Sequence, residues 1–467
     1  MKRPLKNLLS LGFGDAGSRF LGFLVTVYLA RVLEPSGFGV MNIGLAVLGY
    51  LGLAASPGIQ ILEVRNVAKL AGLDAERVGA VVSFRLTLAL LLWSVTIATA
   101  HLVIEQELIR NIVILFAASL VPLAFMLDWF FQGKEDFVSV GVAKLVNYVV
   151  YGLLVLALVQ GKEGLLMAAA AFGAGNVAGA AMLWVVYRRR FGSVKMQWSL
   201  AVWKEIATAG IPLGMAMFLA QSATNLPPLV IGVVVGTGDV GVYSAAMKLV
   251  FFLLLIDRLL SALFLPVVSR YFVTRSGEVP LLAEMTVKII IVASLPIVVI
   301  GIILAPTAII LVFGGSYEGA IPVLRILLGF FSFTLLNSVY MGILIGAGRE
   351  KEYARNAMVG ALLLAFLIIV MTAVAGTHGA AFGVAAGEFV ILMLMMRASS
   401  VSVRVRLGPV LVKPLTAGVV MAVVAYLSND AGVLANCTLA FVAYVAALAL
   451  LRGITRDELQ FLRERFV

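Results

Sequence analysis

Eight polar side chains interrupt otherwise apolar runs of this sequence: Asp15, Arg19, Gln221, Asn225, Lys248, Asp257, Arg258 and Glu388. A charge held in hydrocarbon costs several kcal/mol unless it faces protein or water, so a functional role is its default reading. An arginine fork holds phosphate oxygens bidentately, which makes Arg19 and Arg258 candidates for binding an anionic headgroup, with Lys248 shallower. Gln221 and Asn225 share a helical face and suit sugar hydroxyls, or simply hydrogen bonds between helices. Asp15, Asp257 and Glu388 could couple a proton or Na⁺. Blander roles compete. Asp15 and Arg19 stand at i,i+4 and can neutralise one another. Asp257 and Arg258 point about 100° apart, so each would need a partner on another helix. Arg85, Lys144, Lys288 and Arg31 are close enough to span ends to snorkel towards headgroups.

The elements that must carry these residues follow from composition. The chain has 467 residues, 62% apolar and 13% charged, against about 45–50% and 25% in soluble domains. It is a membrane protein, and little is left for a separate soluble domain. An excess of 35 Lys+Arg over 24 Asp+Glu, a net charge of +11, reads as membrane topology rather than nucleic-acid binding. One cysteine, Cys437, and two distant histidines, His101 and His378, exclude a disulfide framework and a Cys/His zinc cluster. No cofactor is expected.

Apolar runs punctuated by charges and turn residues predict an all-α protein of fourteen spans. The first six lie near 8–33, 38–57, 78–103, 109–131, 138–159 and 165–187. Six more follow at 206–235, 240–268, 284–305, 320–346, 353–376 and 379–398, and a last pair at 409–428 and 432–451. Two parallel six-helix lobes (1–187 and 206–400) around a central cavity are expected, joined by a basic linker (188–205). The final pair (401–452) and an amphipathic tail (453–467) complete the chain. With fourteen spans, twenty-five Lys and Arg fall on one side and only Arg31, Arg110 and Lys162 on the other. Both termini are therefore expected in the cytoplasm, the protein lying in a bacterial or archaeal cytoplasmic membrane.

Three anchors recur in order in the two groups of six. Ser36-Gly37-Phe38-Gly39-Val40-Met41 matches Gly238-Asp239-Val240-Gly241-Val242-Tyr243, Gly133-Lys134-Glu135 matches Gly348-Arg349-Glu350, and Glu163-Gly164-Leu165 matches His378-Gly379-Ala380. An even number of spans per repeat makes the halves parallel, a transporter plan. Gly12 to Gly17 fits GxGxxG but follows no strand, and reads as helix packing. Gly175 with Gly179, and Gly383 with Gly387, have the spacing of close helix contacts. Pro212, Pro227 and Pro228 should kink the seventh span. Thr455 and Glu458 have capping-box spacing, with Leu459, Leu462 and Phe466 on one face beyond.

Tyr28-Leu29-Ala30-Arg31-Val32-Leu33-Glu34-Pro35-Ser36-Gly37-Phe38-Gly39 resembles the signature closing the first helix of polysaccharide flippases. Gly236 to Leu249 is similar to their second-half element, and Phe130 to Glu135, Phe313 to Tyr317 and Gly348 to Lys351 add landmarks. Ser18-Arg19-Phe20-Leu21-Gly22-Phe23 also resembles lipid II flippases of the same superfamily, which includes the multidrug exporters. The resemblance implies a transporter rather than an enzyme. It would move a polyprenyl-diphosphate-linked oligosaccharide to the outer leaflet by alternating access, in contact with membrane lipid and with a glycan polymerase as a partner. Arg19 and Arg258 would meet the diphosphate. A cation-coupled multidrug exporter is the alternative on the same fold. A membrane polysaccharide polymerase or ligase is disfavoured, since no long external loop is available for catalytic side chains.

Overall fold

The computed structural model describes the backbone of residues 2–69 and 75–453 with Thr455 and Glu458, and the side chains from Gly17 onwards except Ala216, Leu407 and Pro409. Among these residues there is no strand. In lipid every backbone N–H and C=O must be satisfied within its own segment, and helices achieve this. In chain order they are α1 (Lys2–Ala55), α2 (Ile59–Lys69), α3 (Ala75–Val103), α4 (Glu107–Ala118), α5 (Leu120–Ala124), α6 (Asp128–Gly133), α7 (Phe137–Leu158), α8 (Leu165–Phe191) and α9 (Leu200–Ala220). There follow α10 (Ser222–Val234), α11 (Thr237–Leu253), α12 (Leu255–Thr274), α13 (Val279–Phe313), α14 (Ala320–Gly346), α15 (Glu350–Ser399), α16 (Leu407–Leu427) and α17 (Val433–Leu450).

Eleven helical segments are long and apolar enough to cross a membrane, and α9 with α10, bent by 60°, makes a twelfth. Two of the eleven are folded at a corner. In α1, Glu34 takes φ 57°, ψ 177° ahead of Pro35, whose ring cannot continue the helix. In α15, Ala375 and Gly376 (φ 57°, ψ −136°) leave helical geometry, the second needing a residue without Cβ. Counting both arms of each gives fourteen spans, as the apolar punctuation predicts.

By packing, the chain divides into two compact units, Met1–Gly241 and Val242–Val467. The helices over 200–234 group with the first unit because they pack on α1, α2 and α3. At one end of this unit Trp129, Phe130, Phe131 and Tyr187 form an aromatic core with Phe84, Trp184 and Trp203 against it. In the second unit α14 packs on α12, α13 and α15, while α16 and α17 lean on α13 through Ala417, Met421 and Tyr444.

Small residues set the helix spacing where the sequence expects it. A Cβ on Gly175 would lie 2.8 Å from the Asn147 carbonyl oxygen, and one on Gly383 2.8 Å from that of Leu367. Thr455 and Glu458 form the expected reciprocal cap, with the Glu458 amide donating to Thr455 Oγ1 (3.3 Å) and the Thr455 amide to Glu458 Oε2 (2.9 Å). Leu459, Leu462 and Phe466 lie outside the described residues.

Candidate functional site

In the second unit, consecutive residues of α14 hold two carboxylates. Ser338 Oγ donates to Asp257 Oδ1 of α12 (2.5 Å), and Asn337 Nδ2 donates to Glu388 Oε1 of α15 (2.6 Å). Adjacent side chains diverge by about 100°, so one turn of α14 serves helices on two sides. Glu388 is buried and Asp257 half-buried. Asn337 Oδ1 and the Tyr340 hydroxyl are buried there without a partner, and in hydrocarbon such orphans call for a ligand or water. Asn337 and Ser338 are absent from the sequence-derived candidates. The signal was Thr334, Asn337 and Ser338 at helical spacing within one apolar span.

Arg258, next to Asp257, is exposed, and its guanidinium makes no hydrogen bond among the described residues. Lys248 on α11 is half-buried and without an ion-pair partner among them. In the first unit, Arg19 on α1 is half-buried, and the Asp15 side chain lies outside the described residues. Gln221 stands at the bend between α9 and α10. Pro227 and Pro228 supply no N–H to the carbonyls of Ala223 and Thr224, so the turn beyond the bend is weakened. Asn225 is buried against α1, where a Cβ on Gly49 would collide with its Nδ2, which has no partner. Its role as a helix-packing amide is thus visible alongside any role towards sugar.

Arg85 and Lys288 correct the snorkelling expectation. Arg85 is buried on α3 and donates to the carbonyls of Met126 and Leu123, each at 2.7 Å. The fourth span is broken between α5 and α6, which leaves the Met126 oxygen without a helical donor, while that of Leu123 also accepts the Met126 amide (3.2 Å), and Trp184 Nε1 donates to a third oxygen, on Phe125 (2.8 Å). Lys288 is buried on α13 and bonds Glu458 at 2.7 Å. The nearest strong acceptors for both cations are protein oxygens, so neither reaches out to headgroups.

A seam of small residues runs between the second arm of α1 and α9 to α11. A Cβ on Gly39 would collide with the Thr237 carbonyl oxygen, and one on Gly241 with that of Pro35. These are the first pair of recurring anchors, and each abuts the other's backbone. Further along, a Cβ on Gly214 would lie 2.7 Å from Pro57 Cβ. Near the opposite end Arg77 of α3 bridges the fully buried Glu63 of α2 and Glu205 of α9, at 3.0 Å each. Two apolar grooves, of about 620 Å³ between α13 and α17 and about 260 Å³ between α1 and α7, contain none of the eight candidates. Among the described residues no three His, Cys, Asp or Glu side chains could share a metal ion.

Known proteins repeat this architecture. A structure of "Lipid II flippase MurJ, inward closed conformation" superposes with a TM-score of 0.75 at 15% identity, covering 97% of this chain and 99% of that one. An inward-facing multidrug resistance MATE family transporter of the MOP superfamily gives 0.67 at 16% identity, over 82% and 95%. At these identities the likeness shows the fold. In sequence, the "Putative O-antigen transporter" of Escherichia coli (strain K12) is 24% identical over 413 residues, 84% of this chain and 95% of the relative. The family model described as polysaccharide biosynthesis protein matches residues 5–272. With more than half of its length matched in this way, the chain belongs to the polysaccharide biosynthesis protein family.

Proposed function

We propose that the protein flips a polyprenyl-diphosphate-linked oligosaccharide from the cytoplasmic to the outer leaflet by alternating access. The observation that carries this reading is the family match over residues 5–272 on an all-helical, fourteen-span chain. The named O-antigen and lipid II relatives support a lipid-linked glycan as cargo. Charge asymmetry supports cytoplasmic termini in a bacterial or archaeal cytoplasmic membrane. A diphosphate would meet prohibitive desolvation in bare hydrocarbon, so cations must accompany it. Arg258, exposed and without a hydrogen-bonded partner among the described residues, is the side chain we assign first to this task, followed by Arg19 and Lys248. Gln221 and Asn225 are assigned to sugar hydroxyls.

Asp257 and Glu388, strung on Ser338 and Asn337, are the pair we assign to H⁺ or Na⁺ coupling. The same pair would serve a cation-coupled multidrug exporter, and this is the second reading. Expression in a strain lacking its own O-antigen flippase separates them. Restored polysaccharide export, lost in Arg258→Ala or Arg19→Ala variants that still insert, is the expected result. No restoration by the wild type, together with raised drug resistance, would favour the second reading. Full activity in both variants would remove the arginines from the scheme.

A further inference from the structure

The connection between α8 and α9 is more than a tether. Residues 192–199 are non-helical, opening at Gly192 with φ 89° and closing at Ser199, whose side chain caps α9. This segment is clipped to α3. Ser83 Oγ donates to the Gln197 carbonyl at 2.5 Å and accepts from Trp203 Nε1 at 3.2 Å. Under Lys195 only a glycine fits, since a Cβ on Gly79 would collide with the Lys195 carbonyl oxygen. Val194 packs into the aromatic core.

A segment so fixed cannot turn its remaining side chains inwards. Trp198 is 62% exposed and Leu200 78%, with Met196 and Phe191 exposed beside them. Around them stand Arg188, Arg189, Lys195 and Lys204, all exposed. Two nearby acids are already engaged, Asp136 with Arg190 at 2.5 Å and Glu205 with Arg77 at 3.0 Å. No carboxylate among the described residues pairs with the other four cations. The strap follows directly on the span Lys162–Phe191 and precedes the helix opening at Leu200, so it lies at the bilayer edge. Apolar and aromatic side chains interleaved with unpaired cations at that depth match an interface of anionic headgroups over acyl chains.

We propose that residues 188–204 form a binding surface for anionic phospholipid, with the four cations on headgroup phosphates and Trp198 and Leu200 inserted beneath them. The surface fixes the protein's depth and ties its stability to leaflet charge. It does not depend on which cargo moves.

The test uses the full chain in nanodiscs, which expose both faces and so make the result independent of orientation. Phosphatidylglycerol added to phosphatidylcholine is expected to raise Tm. Most of that rise should vanish in a variant carrying R188Q, R189Q, K195Q and K204Q, and at high salt, where charges farther apart than ~3 Å are screened. Brominated phosphatidylglycerol should quench tryptophan emission more than brominated phosphatidylcholine, and W198F should remove that difference. The quenching comparison stands on its own if the fourfold variant does not fold. Equal Tm in both lipids, an undiminished rise in the variant, or quenching indifferent to headgroup charge would overturn the proposal. Indifference is also what a protein partner at this face would produce.

Discussion

Arg85 offers the most direct test of how the first unit is held together. Its guanidinium donates to the carbonyls of Leu123 and Met126, the second of which the break in the fourth span leaves without a helical donor, while the first also accepts from the Met126 amide at 3.2 Å. Arg85→Ala removes both bonds and leaves a void. The orphaned Met126 carbonyl would cost ~1–3 kcal/mol by soluble-protein measures and the bond lost at Leu123 about 1 kcal/mol more, which would suggest a loss of roughly 2–4 kcal/mol. Hydrogen bonds between membrane helices average only ~0.6 kcal/mol, because the unfolded chain in lipid finds other donors. Arg85 Nε is also buried unpartnered, so the wild type carries a desolvation cost that the variant sheds. Weighing these, Arg85→Ala should lose about 1–3 kcal/mol and Arg85→Lys, which can reach one oxygen at a time, about half as much. Reversible unfolding in mixed detergent micelles measures both. Trp184→Phe frees the third carbonyl, on Phe125, so the double variant should be non-additive, as expected for side chains serving one break. Arg85→Ala within ~0.5 kcal/mol of wild type, the range of an ordinary surface change, would refute the assignment.

Three further outcomes are expected. Glu388→Gln keeps the oxygen that accepts from Asn337 but loses the charge, and with Asp257→Asn it should abolish the dependence of transport on pH or Na⁺ in proteoliposomes; unchanged dependence in both would dissociate the pair from coupling. Gly39→Ala or Gly241→Ala drives a methyl group into a backbone oxygen that cannot rotate away, and should lower stability by ~1–3 kcal/mol as overpacking does; a wild-type Tm for either would show that the seam yields. At the C-terminal end, burial alone would push the Glu458 carboxyl up, but its bonds to Lys288 and to Thr455 outweigh that and hold it below the usual carboxylate range. Its folded pKa being the lower one, the stabilisation is present above the unfolded value near ~4.3 and is lost as pH falls through the folded value. Protease protection of the segment around Thr455 should therefore fail on acidification, and should be weak at all pH values in Lys288→Met; protection indifferent to both would remove this ion pair from docking.

The number and order of spans were legible because each needs about twenty apolar residues and the connections are marked by turn residues and charges. The corners at Glu34 and Gly376 fall at the expected boundaries between spans 8–33 and 38–57 and between spans 353–376 and 379–398. What remained hidden was the partner of each buried charge. Arg85 reads as a snorkelling residue because its distance from a span end is countable. Residues 125–127, where the span breaks and Met126 offers its carbonyl, contain no proline or glycine to mark the break. Asn337 and Ser338 carry no charge and, unlike Gln221 and Asn225, stand near no proline, so only their spacing with Thr334 sets them apart, although those neutral groups hold the carboxylates. The contact between the Gly39 and Gly241 motifs was invisible for another reason. Their likeness was apparent, but similarity along a chain carries no information about distance.

The two arms of α15 make one more consequence plain. From the corner at Gly376 they run back along each other, with Gly379, Gly383 and Gly387 of the returning arm against Met371, Leu367 and Leu364 of the outgoing one, and Gly360 answering Ile391. All these pairings are near in sequence, so the hairpin can zip up as it leaves the ribosome, before any distant helix arrives. Glu388, one residue past the last of the three glycines, is thereby carried to its depth by a ruler that it does not touch. Lengthening or loosening that ruler by a single methyl group would shift the carboxylate's altitude while leaving its chemistry unaltered.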